Sequence, residues 1–578
     1  MTGVFAGTLG GAEESVEEMA AVLEHITGED LHWYRSDDAV LASTNRDIVQ
    51  DGLAVLFNGY LFDQDDGVGE LVADRYRRHG PGFVQHLDGN FRVAVYDPGK
   101  ERLVLATDRV GDDFVFYTRQ DGFEFSSHLA PLTAVQGYDN RLNERRMVDA
   151  LIALNNVNTG GETLLEGIHQ MYSSQRLVVD TEGATESTYW DCYHPDYLDV
   201  TDGEAAERID ALVHEAASRL ADRGDIPLLL SGGLDSNYLL SVLDDVMEGP
   251  VETVTFGWEE AHFDHAHDAA AMFDTRHRDV TLPKKLPSQE DIWLQEQPAG
   301  ISTYFDYQEL RRSAGIDRFF GGGRSEFIFP VNLGHLRSLN RVRKLKPLFR
   351  AVKAAGAGEV LNRFNPKIGH GVDILTSPYR SAVVTSAWSL RRKTKWEAVD
   401  DRYRDGYVPL EKRIDERWGL DRSDYEWNYL YLQLRHYEFQ DFSLFSKNMQ
   451  RYDPFSYASL LDYATRVPLP QRRNRRLLKR LCRGRVPEHS VEAGGDAGPL
   501  HLDVLRRRLT ENWGEHAAAM ERLLERGYMD QETARPLLIP GDPGEIPATH
   551  VFYLSNMFAL ERWLETFIDR DRPWNRPG

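Results

Sequence analysis

At 578 residues the chain is too long for one ordinary hydrophobic core and predicts at least two domains, and a hydrophobic content of 41% is enough to fold them. The 92 acidic residues outweigh the 67 basic ones to leave a net charge of −25, which disfavours a nucleic-acid partner; with arginine outnumbering lysine several-fold, this surface suits a high-salt cytoplasm and a halophilic source. Cys192 and Cys482 are the only cysteines, which excludes a disulfide framework and a cysteine-rich metal site, and without a leader-like start or about 18 consecutive apolar residues a cytoplasmic protein off the membrane is expected.

To about residue 179 the pattern is strand-rich and punctuated by turns. Leu53 to Asp63 predicts a strand entering a turn at Asn58-Gly59, with a helix through residues 70–76. Residues 91–97 and 102–109 predict a hairpin about Pro98-Gly99-Lys100. The polar, turn-rich stretch 194–203 predicts a boundary between domains at 1–190 and 204–578. A helix follows, with Ala205, Ile209, Leu212, Val213 and Ala216 on one face.

The chemistry concentrates in Leu228-Leu229-Leu230-Ser231-Gly232-Gly233-Leu234-Asp235-Ser236. An apolar run enters a Ser-Gly-Gly turn, and helical spacing then takes over through Leu239, Leu240, Val242 and Leu243, so the turn joins a buried strand to a helix N-terminus. Two glycines let a ligand approach the backbone, unpaired N–H groups and the positive helix end face it, and Ser231 and Ser236 add hydroxyls. A polyphosphate fits such a loop. Asp235 would repel it unless a cation stood between them, so the stretch reads as a site for a magnesium-bridged nucleotide, with Asp235 as the metal ligand.

Strands at 251–257, 277–282 and 318–320 alternate with helical stretches and predict a doubly wound parallel sheet. The ligand then belongs at the carboxyl ends of the strands, where Ser231–Ser236 and Gly321–Gly323 both fall. His262, His265 and His267 read either as a metal cluster or as a solvated helix start. The basic run 337–353 reads either as a docking surface for an acidic partner or as a solvated helix face. The remainder, to Gly578, is helical by pattern, rich in aromatic residues, and expected to pack beside the sheet.

The Ser231–Ser236 loop resembles the pyrophosphate-binding loop of the ATP pyrophosphatases, in the form used by the asparagine synthetase family. Phe57-Asn58-Gly59-Tyr60, Leu87-Asp88-Gly89-Asn90-Phe91, Ala106-Thr107-Asp108-Arg109-Val110-Gly111 and Thr163-Leu164-Leu165-Glu166-Gly167-Ile168 are similar, in order and spacing, to that family's glutaminase domain. The resemblance implies an α/β chain: an N-terminal-nucleophile-type αββα sandwich, then a doubly wound parallel-sheet ATP pyrophosphatase domain with a helical C-terminal part. It also implies that Ser231, Gly232, Gly233, Leu234, Asp235, Ser236, Phe256 and Gly321 bind the nucleotide, with ATP and Mg2+ as cofactors. The family's nucleophilic cysteine, which follows the initiator Met, is Thr2 here, and its Arg-Gly-Pro-Asp segment has no counterpart between Asp30 and Asp51. An acidic residue expected near residues 68–70 is not clearly matched. Asn58 and Gly59 persist where the family places part of its oxyanion hole, and the half is expected to lack glutaminase activity.

In the second half, Gln295-Glu296-Gln297-Pro298, Gly321-Gly322-Gly323-Arg324-Ser325-Glu326-Phe327, Arg451-Tyr452-Asp453-Pro454-Phe455 and Asn474-Arg475-Arg476-Leu477-Leu478-Lys479-Arg480 resemble further family segments. Three positions depart. Ser325 stands for a metal-holding Asp, with Glu326 beside it as compensation; Gly322 replaces a Glu that assists proton transfer; Arg475 replaces a Lys that stabilises the adenylate, with Lys479 as a substitute. The resemblance implies a ligase that adenylates a small-molecule or peptide carboxylate and transfers it to ammonia or a substrate amine, with Arg475, Lys479 and Glu326 catalytic. β-Lactam synthetases and lasso-peptide cyclases share the missing cysteine. The alternative is a nucleotide-binding homologue impaired in catalysis that works as a partner or regulatory protein. Assembly stays open, with a homodimer considered.

Overall fold

Period-two alternation sorts the side chains of the first half. Along the strand Leu53–Leu61, Leu53, Val55 and Phe57 point to one face while Ala54 and Leu56 point to the other, and both faces are covered. The computed structural model describes residues 3–63, 66–110, 114–152, 161–192, 196–257, 263–273, 275–283, 301–330, 348, 351, 449–493, 506–529, 531–541, 546 and 548–569. Thr2, His194, Pro195, His262, the 295–298 segment and nearly all of the basic run 337–353 lie outside the described residues.

Two antiparallel six-stranded sheets form. One runs His169–Gln170, Phe116–Thr118, Phe123–Ser126, Phe5–Leu9, Ala39–Ser43, His32–Arg35; the other runs Gly183–Thr188, Gln175–Asp180, Arg102–Thr107, Gly89–Asp97, Leu53–Leu61, Val49–Gln50. Phe5, Leu41 and Phe125 of the first meet Leu56, Ala94 and Leu105 of the second in the space between them. On the outer faces, Val16, Met19 and Leu23 of the helix Glu13–Thr27 cover Val4, Ala6 and Val40, and Val72 and Tyr76 of the helix Val68–His79 cover Val55, Val93 and Val104. This is the expected helix–sheet–sheet–helix sandwich. The predicted hairpin forms, with Asp97 opposite Arg102. Asn58-Gly59 makes no turn: the strand continues through it to Leu61, pairing with Arg92 and Phe91, and a Cβ on Gly59 would stand 2.1 Å from the Asn90 carbonyl oxygen. Cross-strand pairing overrides the local turn preference, and the glycine serves close approach instead.

Thr201 opens the next helix, Asp202–Ala221, through a reciprocal capping box with Glu204. Beyond it five parallel strands lie in the order Arg276–Thr281, Glu252–Gly257, Leu228–Leu229, Arg318–Phe320, Gln450–Tyr452. The order reverses between Leu228–Leu229 and Arg318–Phe320, which opens a crevice at their carboxyl ends. Gln450–Tyr452 was not foreseen as a strand, since three residues carry no period. The later helices do pack beside the sheet, Ala458–Arg466 and Arg476–Cys482 on Asp202–Ala221 and Ala548–Phe567 on Ile301–Ala314, but the last of them also reach the first half. Met520 and Leu523 of Trp513–Glu525, and Leu554, Leu560 and Trp563 of Ala548–Phe567, share one apolar cluster with the helix Glu13–Thr27, so the end of the chain packs against the first half. No helix among the described residues is long and apolar enough to cross a membrane.

Candidate active site

The loop after Leu228–Leu229 is built by backbone demands. Leu230 still donates its N–H to the Val254 carbonyl (2.9 Å), and the chain then leaves the sheet. Gly232 takes a left-handed φ of 73°, and a Cβ there would lie 2.6 Å from the carbonyl carbon of His265, backbone that cannot swing away. Gly233 is the N-cap of the helix Leu234–Val246, so the positive helix end opens at this point. Ser231 Oγ accepts the Gly233 N–H (3.3 Å) and meets Ser236 Oγ at 3.0 Å, and Ser236 Oγ donates to the Gly233 carbonyl (3.1 Å). Behind the loop, Asn237 Nδ2 donates to the Gly232 carbonyl (3.1 Å) and to Ser490 Oγ (2.8 Å), while Ser490 Oγ donates to the same carbonyl (3.2 Å). Neither residue was singled out from sequence. Asn237 adjoins the motif, but Ser490 is distant in the chain and carries no short-range signal.

A cavity of about 330 Å³ opens beside this loop at the reversal of strand order. Of the residues expected to bind nucleotide, Ser231, Asp235, Ser236, Phe256 and Gly321 line it. Leu234 is fully buried in the core beneath, and Gly232 and Gly233 shape the turn. Phe256, Tyr307 and Phe319 form an aromatic wall, with Tyr307 edge-on to Phe256 (5.2 Å between centroids) and stacked on Phe319 (5.7 Å). Gly321–Gly323 forms the opposite side with Arg451. Asp453 organises this side: its carboxylate accepts the N–H groups of Arg324 (3.2 Å) and Phe455 (2.9 Å) and lies 3.4 Å from Arg451 Nη2.

Asp235, Glu326 and Arg475 come together from three parts of the sequence. Arg475, with its side chain 6% exposed, forms an ion pair with Asp235 Oδ2 and reaches Glu326 Oε1 at 3.5 Å, so one guanidinium bridges two carboxylates. Asp235 Oδ1 is buried with no hydrogen-bond partner among the described residues. Desolvation raises the Glu326 carboxyl above its ordinary range against the pull of Arg475, and the Asp235 charge raises it further, while the side chain itself stays half exposed. Asn474 and Arg475 both hold left-handed φ, 57° and 55°, where a non-glycine residue costs about 1 kcal/mol. The Arg475 N–H secures this kink by donating to the Pro330 carbonyl (3.0 Å). Of the three residues expected to be catalytic, Arg475 and Glu326 reach the cavity only through Asp235 and do not line it themselves, and Lys479, half-buried on the helix Arg476–Cys482, does not line it either. Ser325 is buried, and a Cβ on Gly322 would press to 3.3 Å on Phe455 Cε2 and lie 3.9 Å from Asp235 Cβ, so the Phe455 ring crowds the place a side chain would take.

The donor set fits magnesium of the kind that travels with a nucleotide. Such an ion keeps most of its waters and phosphate oxygens and needs only one or two carboxylates, and Asp235 Oδ1 is one carboxylate oxygen still without a partner. In the first half, both amide atoms of Asn58 are buried without a partner among the described residues. Of the histidines considered for metal, His265 stands 5.3 Å from His489, and His267 contacts Asp279, away from this cavity.

Comparison with known proteins gives two family matches. A glutamine amidotransferase domain family matches residues 59–190, and the asparagine synthase family matches residues 208–565, well over half the chain. Asparagine synthetase [glutamine-hydrolyzing] 3 of Bacillus subtilis is 26% identical over 36% of this chain and 37% of its own length, so the match spans little more than a third of that relative. Amidase chyE of Penicillium rubens is 27% identical over 31% of this chain and 26% of its own. Among solved structures, glutamine phosphoribosylpyrophosphate amidotransferase from B. subtilis, complexed with ADP and GMP, is 12% identical with a TM-score of 0.23, covering 48% of this chain and 65% of that one.

Proposed function

The chain belongs to the asparagine synthase family, and from that premise we propose that it is an ATP-dependent amide-forming ligase that adenylates a carboxylate and passes the acyl group to ammonia or a substrate amine. The observation that carries this reading is the convergence of Asp235, with an unpartnered carboxylate oxygen, and the bridging Arg475 on a glycine-built loop at a helix N-terminus. Ser231, Ser236 and the loop N–H groups hold the β- and γ-phosphates, with the aromatic wall of Phe256, Tyr307 and Phe319 beside the nucleoside. Asp235 would hold a magnesium ion, which when bound would neutralise part of the phosphate charge.

A carboxylate oxygen of the substrate attacks the α-phosphorus, the bond to the bridging oxygen breaks, and pyrophosphate leaves with the electron pair. Arg475 faces the negative charge that builds on the transferring group. The amine then attacks the acyl carbon, AMP departs, and the amine loses a proton. That proton is assigned to Glu326, which meets Arg475 beside Asp235, because Gly322 carries no side chain to take it. The first half is proposed to give structure without hydrolysing glutamine.

The second reading, a nucleotide-binding partner or regulatory protein without ligase chemistry, is favoured by one observation: Arg475 already engages both carboxylates, and Ser325 adds none. Magnesium-dependent pyrophosphate release from ATP, measured in high salt with aspartate and then a panel of carboxylates, separates the two. The ligase predicts release that requires a carboxylate and falls at least about 100-fold in Asp235→Ala. ATP binding with no release across the panel would overturn the ligase in favour of the partner protein.

A further inference from the structure

Two histidines and a carboxylate meet at one edge of the parallel sheet, outside the cavity. His277 and Asp279 stand two residues apart on the outermost strand Arg276–Thr281, so their side chains leave the same face, and the helix Asp264–Met272 lays His267 over it. His267 Nε2 lies 2.8 Å from Asp279 Oδ2, and His277 Nε2 lies 3.0 Å from Asp279 Oδ1. One ligand atom from each of the three falls within 4.8 Å of the others.

A chain of hydroxyls decides where the His277 proton sits. Thr275 Oγ1 donates to the Ala270 carbonyl (3.3 Å), which can only accept; Thr253 Oγ1 therefore donates to Thr275 Oγ1 (3.2 Å) and accepts from His277 Nδ1 (2.8 Å). With its proton on Nδ1, the neutral ring turns the Nε2 lone pair toward a carboxylate, itself an acceptor. Two acceptors at 3.0 Å require a cation between them, either a second ring proton or a metal ion.

We propose that His267, His277 and Asp279 form a site for a borderline divalent transition metal of the Zn2+ class, bound through both Nε2 atoms and the carboxylate, with water completing the shell. The separations of 2.8 and 3.0 Å approach the roughly 3.0–3.5 Å between neighbouring ligands at bond lengths of about 2.0–2.2 Å. Imidazole ligands select such an ion over magnesium, and Thr253 on Nδ1 is the outer hydrogen bond that aims a ligating histidine. The ion ties the helix Asp264–Met272 to the sheet edge. That helix begins against the phosphate-type loop, with His265 backbone over Gly232, so the metal braces the loop from behind. The proposal stands independently of the ligase reading.

Metal-stripped full-length protein, titrated with Zn2+ without nucleotide by calorimetry and with Co2+ by visible absorption, tests it. The expected result is one saturable site per chain, a raised thermal midpoint, no competition from millimolar Mg2+, loss of the site in His267→Ala and His277→Gln, and about 10- to 100-fold weaker binding in Thr253→Val. His267 is half exposed on a helix surface, so its removal spares the fold. Binding that is equal in wild type and in the His267→Ala/Asp279→Asn double variant would overturn the proposal. So would nitrogen NMR showing both His277 ring nitrogens protonated in the presence of stoichiometric Zn2+, which would make the contact a plain ion pair.

Discussion

Arg475 joins a strained backbone to a bridging charge. A planar guanidinium can serve Asp235 and Glu326 at once, whereas an ammonium is a point charge. Arg475→Gln, which removes the charge, is expected to lower the pyrophosphate-release rate about 10²- to 10³-fold with ATP affinity nearly retained, measured at saturating ATP. At the other end of the molecule His516 is fully buried between Trp513 and Phe558, and neither ring nitrogen has a partner among the described residues. Burial pushes its pKa down to about 4. The unfolded chain thus takes up a proton near pH 6.5 that the folded chain refuses, so this residue's contribution to stability is full above pH 6.5 and is lost as pH falls toward 4. His516→Leu should raise stability at pH 7.5 by about 1 kcal/mol and flatten the melting profile between pH 4.5 and 6.5. An unchanged profile would show that His516 finds a partner. From sequence Arg475 and Glu326 were nameable, yet not that one bridges the other to Asp235, because that contact depends on where three distant segments meet.

The phosphate-type loop, as an element, owes its form to two glycines that do different work. Gly232 combines a left-handed φ with backbone contact at 2.6 Å, whereas Gly233 has an ordinary φ of −74° and meets only Ser231 Oγ at 3.3 Å. Gly232→Ala is expected to destabilise the fold by about 2–4 kcal/mol and abolish nucleotide binding, while Gly233→Ala keeps the fold and weakens binding less; thermal melts and ATP titration of both variants check the contrast. Equal effects would mean that the loop is not held by the helix behind it. The strand–turn–helix was legible in the sequence because a switch of hydrophobic period and two glycines are local signals. The Asn237–Ser490 anchor and the strand Gln450–Tyr452 were not, since each is defined by a partner far along the chain.

At the scale of the whole molecule the two halves share polar contacts that range from buried to exposed. Tyr60 OH accepts the Asp453 N–H (2.9 Å), Trp190 Nε1 donates to Asp462 Oδ1 (2.7 Å), and Asp88 Oδ1 accepts the Ala458 N–H (3.0 Å) at the start of the helix Ala458–Arg466. Burial raises the Asp88 pKa to about 6 against Arg109 and the Ala458 N–H, with Asp462 and Glu215 adding to the rise. Between its unfolded value near 3.8 and 6 the folded state holds the extra proton, so stability falls as pH rises through that window. Asp88→Asn keeps the acceptor and removes the charge: it should gain about 1–2 kcal/mol over wild type at pH 8 and nothing at pH 4, read from denaturation midpoints at the two values. A pH-independent difference would refute the assignment. The sequence by itself determined the two architectures and the phosphate-type loop, because alternation, helical spacing and glycine turns are properties of neighbouring residues. Only the tertiary structure decided that Asn58-Gly59 stays in a strand, that the last helices pack on the first half, that Arg475 bridges two carboxylates and that His267 meets His277 and Asp279. Those outcomes follow from apolar surfaces seeking cover and charges seeking partners across the whole chain, and no local pattern encodes which distant segment supplies them.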